Sequence, residues 1–544
     1  MSTLKDVFVN QIGYNQNGTK FAYVRGAGKG EDFSLIDEKG KAVFSGKLSV
    51  PVKDRVAGED ICTADFSAFN VPGTFRLKAG SNQSVPFAID EGLYNNLYVS
   101  ILKYFTLSRC GEDIQLNDEN IAMFNHPACH TGIAKIYGSK KTKKVLGGWH
   151  DAGDYGRYIV AGSKTVMDLL LAYESIKDDK KACSRFDILA ECRFELEWML
   201  QMQREDGAVY HKISCYHFCP FILPQEENDE LVLAPVSTSA TADFAGCLAF
   251  ASSFYKESAP VFAESLLEAA KKAQKYLDSH EDELYKNPPE ITTGGYGDWS
   301  VKDERYFALC SLFAVTGDET YLEKAMQIRK EAKAIPYNEA EPWKRPWGEN
   351  FGWGSVAGYG TEIVLKNKQL ISAKSANISA SIIEDLEQSI KETADKVLER
   401  VENASFGTSL EKVFWGSNGA VCDNAHLLLL AYDLFGNKKY YEAAKKQLDY
   451  LMGCNPMNVC YVTGFGTNTV HNPHHRPSGA TGSTMPGMLS GGPSEWLADE
   501  VAKIHLQGKP PLQCFIDLQG SYSTNEIAIY WNSPLVYLVA RVGL

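Results

Sequence analysis

The apolar positions of this chain change period once, early. Residues 7–89 alternate short apolar segments with turn signals: Val7-Phe8-Val9, Phe21-Ala22-Tyr23-Val24, Phe33-Ser34-Leu35-Ile36, then Asp37-Glu38-Lys39-Gly40 before Val43-Phe44. Val71-Pro72-Gly73-Thr74-Phe75-Arg76-Leu77 and Val85-Pro86-Phe87-Ala88-Ile89 supply the last segments. Short strands at this cadence predict a β-sandwich over 1–91. From Leu93 the pattern becomes helical, with apolar stripes at Leu189, Cys192, Leu196 and Met199 and at Phe244, Cys247, Leu248 and Ala251. Such stripes form core, and they make 92–544 a mainly α domain.

Within that domain the sequence echoes itself. Leu312 to Ala325 and Ala431 to Ala444 place Gly317 with Gly436, Tyr321 with Tyr440, Glu323 with Glu442 and Ala325 with Ala444. Each copy has the form helix, Gly-centred turn, helix. Helical hairpins bury their faces by packing on one another, so the expectation is a closed or stacked α/α architecture. Two stretches rich in Gly, Pro, Asn and His, from Gly453 to Pro477 and from Gly479 to Pro493, are too long for connectors and read as functional loops.

Composition narrows the partners. The 544 residues exceed one ordinary core, and 44% hydrophobic with 23% charged is the balance of a folded, water-soluble protein. A net charge of -13 excludes a nucleic-acid backbone as partner, since that requires a basic face. No apolar run reaches the roughly 18 residues of a membrane helix. Thirteen scattered cysteines suit reduced thiols better than a disulfide framework. The start Met1-Ser2-Thr3-Leu4-Lys5-Asp6 has no secretion pattern, so a cytoplasmic location is expected, or a secreted one if a signal has been removed.

Gly147-Gly148-Trp149-His150-Asp151-Ala152-Gly153-Asp154-Tyr155-Gly156-Arg157-Tyr158 sets two carboxylates three residues apart among small residues and aromatics. Small residues let a ligand approach the backbone, aromatics offer faces for stacking, and paired carboxylates can orient and deprotonate water. A bare D-x-x-D also occurs on solvated loops and at helix starts. Its missing proton donor has a candidate in Glu526, between the small polar residues Ser521 to Asn525 and the apolar run from Ile527, a setting that raises a carboxyl pKa. The alternative for Glu526 is a helix N-terminal carboxylate that satisfies backbone donors.

Three segments resemble glycoside hydrolase family 9, the inverting cellulase-type family. Residues 147–158 are similar to its base motif; Tyr461-Val462-Thr463-Gly464-Phe465-Gly466 running to Pro473-His474-His475-Arg476 resembles its first signature. Residues 515–533 fit its second signature through Phe515, Asp517, Tyr522, Glu526, Ala528, Asn532 and Ser533. The segment from Val236 to Ala245 and the echoing hairpins are also similar, and the β-rich start resembles the immunoglobulin-like module of one subgroup. The resemblance implies a mainly α fold, an (α/α)6 barrel over 92–544 preceded by a small immunoglobulin-like β-sandwich over 1–91.

Carried over by position, Asp154 matches the family's catalytic base, Asp151 its water-holding partner and Glu526 the general acid. Inversion requires two carboxyl groups about 6.5–9.5 Å apart on opposite faces of the scissile bond. His474 and Arg476 match positions lining the sugar site, and Trp149, Tyr155 and Tyr522 are candidate stacking faces. Cys110, Cys129, His130 and His150 resemble the subgroup's structural zinc set, a closed tetrahedral site. His211, Cys215, His217 and Cys219 form a denser rival set, although alternate residues of a strand point to opposite faces. Asp298, Asp303 and Glu304 lie where family members bind calcium, with solvated acids at a helix start as the alternative. No organic cofactor is implied.

The resulting expectation is an inverting hydrolase of β-1,4-linked gluco-configured saccharides, acting on short imported oligosaccharides. The alternatives are an exo-β-glucosaminidase or exo-β-glucosidase, a carbohydrate-binding protein with a dead site, and a zinc hydrolase.

Overall fold

The structure is a computed structural model that describes residues 6–336, 347–371 and 376–544. Two compact units emerge: residues 1–104 with 394–544, and residues 105–393.

In the first unit the amino-terminal part is a β-sandwich. One sheet runs in the order Val7–Phe8, Phe21–Arg25, Glu59–Asp65, Val52–Asp54. The other runs Tyr14–Asn15, Phe87–Asp90, Gly73–Ala79, Asp32–Asp37, Ala42–Lys47, with Asn82–Gln83 paired on Gly73–Ala79. Gly73–Ala79 shows the half-buried alternation plainly, with Phe75, Leu77 and Ala79 inward and Thr74, Arg76 and Lys78 outward. These inward residues meet Ala22, Val24, Cys62 and Ala64 of the facing sheet in one apolar cluster. Burying each large side chain there contributes about 1.5–3 kcal/mol. Two expected strands are shortened at their starts: Pro72 and Pro86 lack a backbone donor, and the paired residues begin after them at Gly73 and Phe87.

The same unit carries the helical hairpin Ser417–Phe435 and Lys438–Leu451, with the carboxy-terminal helix Ile529–Val542 packed on both. Its counterpart in the second unit is Lys302–Thr316 with Glu319–Lys333. The sequence echo between them is a shared capping device. Gly436 and Gly317 end their first helices in the left-handed region, at φ 67° and 70°, which glycine adopts without a Cβ clash. The next residue, Asn437 or Asp318, then caps the second helix by accepting from Lys439 N–H or Thr320 N–H.

The second unit alternates helices of two kinds. Ile159–Ile176, Thr238–Tyr255 and Lys302–Thr316 are buried around nearly their whole circumference, whereas Pro260–Ser279 and Glu319–Lys333 bury a single stripe. Thr238–Tyr255 packs on Ile159–Ile176, Pro260–Ser279 and Lys302–Thr316, giving a layer of enclosed helices backed by amphipathic ones.

The helical pattern from Leu93 onward did not anticipate a five-stranded sheet in this unit. Its order is Thr142–Lys144, Ile133–Ile136, Leu231–Leu233, Lys212–Cys215, Arg157–Tyr158. Strands of two to four residues are too short to display a period of two. The sheet matters for the site, because its register sets Tyr158 opposite Lys212. Among the described residues, no helix is long and apolar enough to cross a membrane.

Candidate active site

The D-x-x-D motif lies on the turn that leads through Arg157–Tyr158 into the buried helix Ile159–Ile176. Two left-handed glycines open it, Gly147 at φ 90° and Gly148 at φ 83°. At Gly148 a Cβ would sit 2.7 Å from Cδ2 of Trp198, so backbone conformation and close approach both require glycine.

Asp151 and Asp154 are both buried. Asp151 N–H donates to Gly156 O at 3.0 Å, while Gly156 N–H (3.0 Å) and Tyr158 OH (3.2 Å) donate to Asp154 Oδ2. Tyr296 OH donates to Asp151 Oδ2. Asp151 Oδ1 is buried with no hydrogen-bond partner among the described residues. Burial, followed by the Asp154 charge, pushes the Asp151 carboxyl well above its usual range, against the Tyr296 hydrogen bond and the Lys212 charge.

Tyr296 and Lys212 were not singled out by sequence reasoning. Tyr296 sits in a Gly-rich stretch with a positive φ of 46°, a costly backbone state for a tyrosine. The loop is tied down on both sides of its path. Lys212 Nζ donates to Thr293 Oγ1 at 2.9 Å and to the carbonyls of Thr293 and Gly294, and His211 Nε2–H donates to Gly295 O at 2.9 Å. Burial lowers Lys212 to about 7, with Asp154 and Asp151 working in the opposite direction. A lysine inside an otherwise buried strand segment was the available signal for it.

Trp149 does not offer a stacking face. It is 1% exposed, its indole N–H donates to Glu191 Oε1 at 2.9 Å and its backbone N–H to Glu195 Oε2 at 2.7 Å, so it braces the motif from behind. Tyr155 is also buried, its OH on Ile222 O and its ring against His150 and His130.

Cys110, Cys129, His130 and His150 converge, all buried, with their ligand atoms within 4.8 Å of one another. The Sγ atoms of Cys110 and Cys129 are 3.8 Å apart, Cys110 Sγ is 3.7 Å from His130 Nδ1, and Cys129 Sγ is 3.6 Å from His150 Nε2. Tetrahedral zinc, with bonds of about 2.3 Å to sulfur and 2.0–2.1 Å to nitrogen, produces ligand edges of about this length. His130 Nε2–H donates to Glu227 Oε2 at 2.8 Å, which turns Nδ1 toward the sulfurs, as a second-sphere carboxylate does. The rival set does not converge: His211 engages Ser237 and Gly295, His217 engages Thr292, and Cys215 points to Asp229 O.

Asp298, Asp303 and Glu304 are joined electrostatically by Asp243. Asp298 Oδ1 accepts from Trp299 N–H and Ser300 N–H, and Asp303 Oδ2 from Val356 N–H. Both carboxylate oxygens of Asp243 and of Glu304 are buried without hydrogen-bond partners among the described residues. Burial first, and then neighbouring carboxylates, raises both acids well above their ordinary range. A charged residue within the apolar run of Thr238–Tyr255 was the signal for Asp243.

In the first unit, Glu526 follows the short helix Tyr522–Asn525 and bridges to His474 through the backbone. Trp415 Nε1–H donates to Glu526 Oε2 at 3.1 Å, and the Trp415 ring packs against Tyr522 at 5.1 Å between centroids. Glu526 therefore does not cap a helix amino terminus; it ends one. His474 Nδ1–H donates to Gln519 O at 2.7 Å, its ring lies 5.8 Å from Tyr522, and burial holds its pKa below the ordinary value. Arg476, also buried, begins the helix Arg476–Thr481.

Comparison with known proteins gives these groups a family. Residues 94–539 match the model of glycosyl hydrolase family 9, and residues 2–84 that of the cellulase N-terminal ig-like domain. The protein is a glycoside hydrolase, with an amino-terminal immunoglobulin-like β-sandwich followed along the chain by an α/α-barrel catalytic domain. It is 35% identical to a cellodextrinase of Butyrivibrio fibrisolvens over 99% of this chain and 100% of that one. It is 32% identical to endoglucanase D of Acetivibrio thermocellus over 98% of this chain and 82% of that one. Among solved structures, a single-mutant thermostable endoglucanase from Alicyclobacillus acidocaldarius aligns with TM-score 0.89 and 33% identity, covering 99% of each chain. A Zn-binding triple mutant of a family 9 endoglucanase aligns with TM-score 0.88 and 27% identity, covering 97% of this chain and 99% of that one. The chain belongs to glycosyl hydrolase family 9.

Proposed function

We propose that this enzyme hydrolyses β-1,4-linked glucans, with short cello-oligosaccharides as its substrates, by single displacement with inversion. Asp154 is the general base, Asp151 helps hold the attacking water and Glu526 is the general acid. The observation that carries the reading is the fixed carboxylate pair: tyrosine hydroxyls engage one oxygen of Asp151 and one of Asp154, and Asp151 Oδ1 keeps acceptor capacity for a water. Glu526 then protonates the departing glycosidic oxygen while Asp154 takes a proton from water attacking the anomeric carbon from the opposite face. His474 and Arg476 are assigned to the sugar hydroxyls, and Tyr522 with Trp415 to a ring face. The cellodextrinase and endoglucanase relatives support glucose-built chains, so the exo-β-glucosaminidase and exo-β-glucosidase alternatives are not favoured.

The test is hydrolysis of cello-oligosaccharides with the product anomer followed by NMR. Asp154→Asn and Glu526→Gln should each lower kcat by about 10²–10⁴-fold with fold retained. Retention of configuration, or undiminished activity in either variant, overturns the assignment.

Cys110, Cys129, His130 and His150 are proposed to hold a structural zinc, whose chemistry is to crosslink the base loop to the 110–130 segment while leaving no open coordination position. Asp243, Asp298, Asp303 and Glu304 are proposed to bind calcium. The donor set suits a hard cation, and the partnerless buried oxygens of Asp243 and Glu304 support it. Added calcium should raise the melting temperature of the native chain but not that of Asp243→Asn; an equal response in both would refute this assignment.

A further inference from the structure

Trp415 and Trp496 are the two exposed tryptophans among the described residues, at 38% and 62%, and each packs on a second aromatic ring. Trp496 packs against Phe414, with ring centroids 5.7 Å apart and planes inclined at 33°, while the next residue along the chain, Trp415, packs against Tyr522. Consecutive residues thus anchor two aromatic surfaces, one of which donates to Glu526.

The loop bearing Trp496 is built onto the segment that carries Glu526. Asp499 Oδ2 accepts from Ser521 Oγ, Ser523 N–H and Ser523 Oγ, and Tyr522 OH donates to Ala498 O at 3.1 Å. On the other side Ser417 Oγ donates to Pro493 O at 2.7 Å, and Glu495 exchanges bonds with Val413. Leu497 is held at φ 42°, one of four non-glycine residues with positive φ among the described residues, and backbone strain of this kind persists where surrounding contacts over-determine a conformation. A fixed loop that leaves a tryptophan mostly in water, with a phenyl ring behind it, is organised to receive a flat partner.

We propose that Trp496 is a further sugar-binding position, stacking on a pyranose of the same β-1,4-glucan one or more units beyond the ring that meets Trp415. The proposal rests on the glucanase reading and adds a preference for longer oligosaccharides. The C–H face of a β-linked glucose is apolar and broad enough to cover an indole, while its equatorial hydroxyls remain solvated. Glu495, beside Trp496, supplies an acceptor for one of them.

The test compares kcat/KM on cellotriose and cellohexaose for the native enzyme, Trp496→Ala and Trp496→Phe, alongside cellohexaose affinity in Glu526→Gln with and without Trp496→Ala. The expected result is about a tenfold loss for Trp496→Ala on cellohexaose, a change under about twofold on cellotriose, near-complete rescue by phenylalanine, and a matching loss of affinity in the Glu526→Gln background. Equal effects at both chain lengths, or none at either, overturn the platform. Full activity of Glu526→Gln instead defeats the glucanase assignment and leaves the affinity comparison as an independent reading of Trp496.

Discussion

The Tyr296 hydroxyl donates to Oδ2 of Asp151, joining segments 145 residues apart in sequence. That bond commits one oxygen of Asp151, while the other, Oδ1, is buried without a hydrogen-bond partner among the described residues. Tyr296 is itself wedged edge-to-face between Tyr158 and Trp353, with centroids at 4.8 and 5.0 Å, so its position is fixed by packing as well as by the hydrogen bond. Tyr296→Phe keeps the packing and removes the donor. Steady-state kinetics should show kcat down by about tenfold with KM within about twofold, and the melting temperature nearly unchanged. A variant with native kcat would show that Asp151 needs no help from this tyrosine.

Lys212 makes stability pH-dependent. Its folded pKa of about 7 lies below the ordinary 10.5, so between those values the unfolded chain binds more protons than the folded one, and stability rises with pH. Below about pH 7 both states carry the proton and the burial cost is fully present. Urea melts at pH 6 and pH 9 should therefore show a gain for the native chain that shrinks in Lys212→Met. The same slope in both proteins would assign the pH dependence to other groups.

The cysteine–histidine cluster predicts a specific response to metal removal. A closed structural site stiffens the fold, so a strong chelator should lower the melting temperature by several degrees before any loss of turnover at low temperature, and Cys129→Ser should mimic it. Cobalt substitution should produce the visible absorption of tetrahedral thiolate coordination. If turnover instead vanishes on chelation while the melting temperature stays put, the metal takes part in the chemistry and the structural assignment is wrong.

Gly148→Ala combines two penalties, a left-handed φ of 83° and a Cβ 2.7 Å from Trp198. Destabilisation of about 2–4 kcal/mol is expected from denaturant melts. A loss below about 0.5 kcal/mol would mean that the turn relaxes freely.

Much of this protein is readable from local sequence because local forces write it. The strand cadence of residues 7–89, the helical spacing of Phe244, Cys247, Leu248 and Ala251 within Thr238–Tyr255 and the matched Gly317 and Gly436 turns each reflect period or capping within a few residues. The motifs singled out Asp151, Asp154 and Glu526 as the proposed catalytic carboxylates, and they pointed to Cys110, Cys129, His130 and His150, whose ligand atoms the fold brings together. What the motifs could not supply was surroundings. Trp149 reads as an open aromatic and is a buried brace, because Glu191 and Glu195 of a distant helix take its two N–H groups.

The sequence by itself determined the change from strand cadence to mainly helical pattern and the Gly-centred hairpin turns, and it nominated the carboxylates proposed for catalysis, since each depends on neighbours along the chain. Only tertiary structure decided which of those residues meet. It brought Cys110 to within 3.8 Å of Cys129, set Lys212 opposite Tyr158 through strands too short to announce themselves, and placed Tyr296 on Asp151. Contacts of that range are fixed by how whole helices and sheets pack, and packing leaves no periodic trace in the residues it brings together.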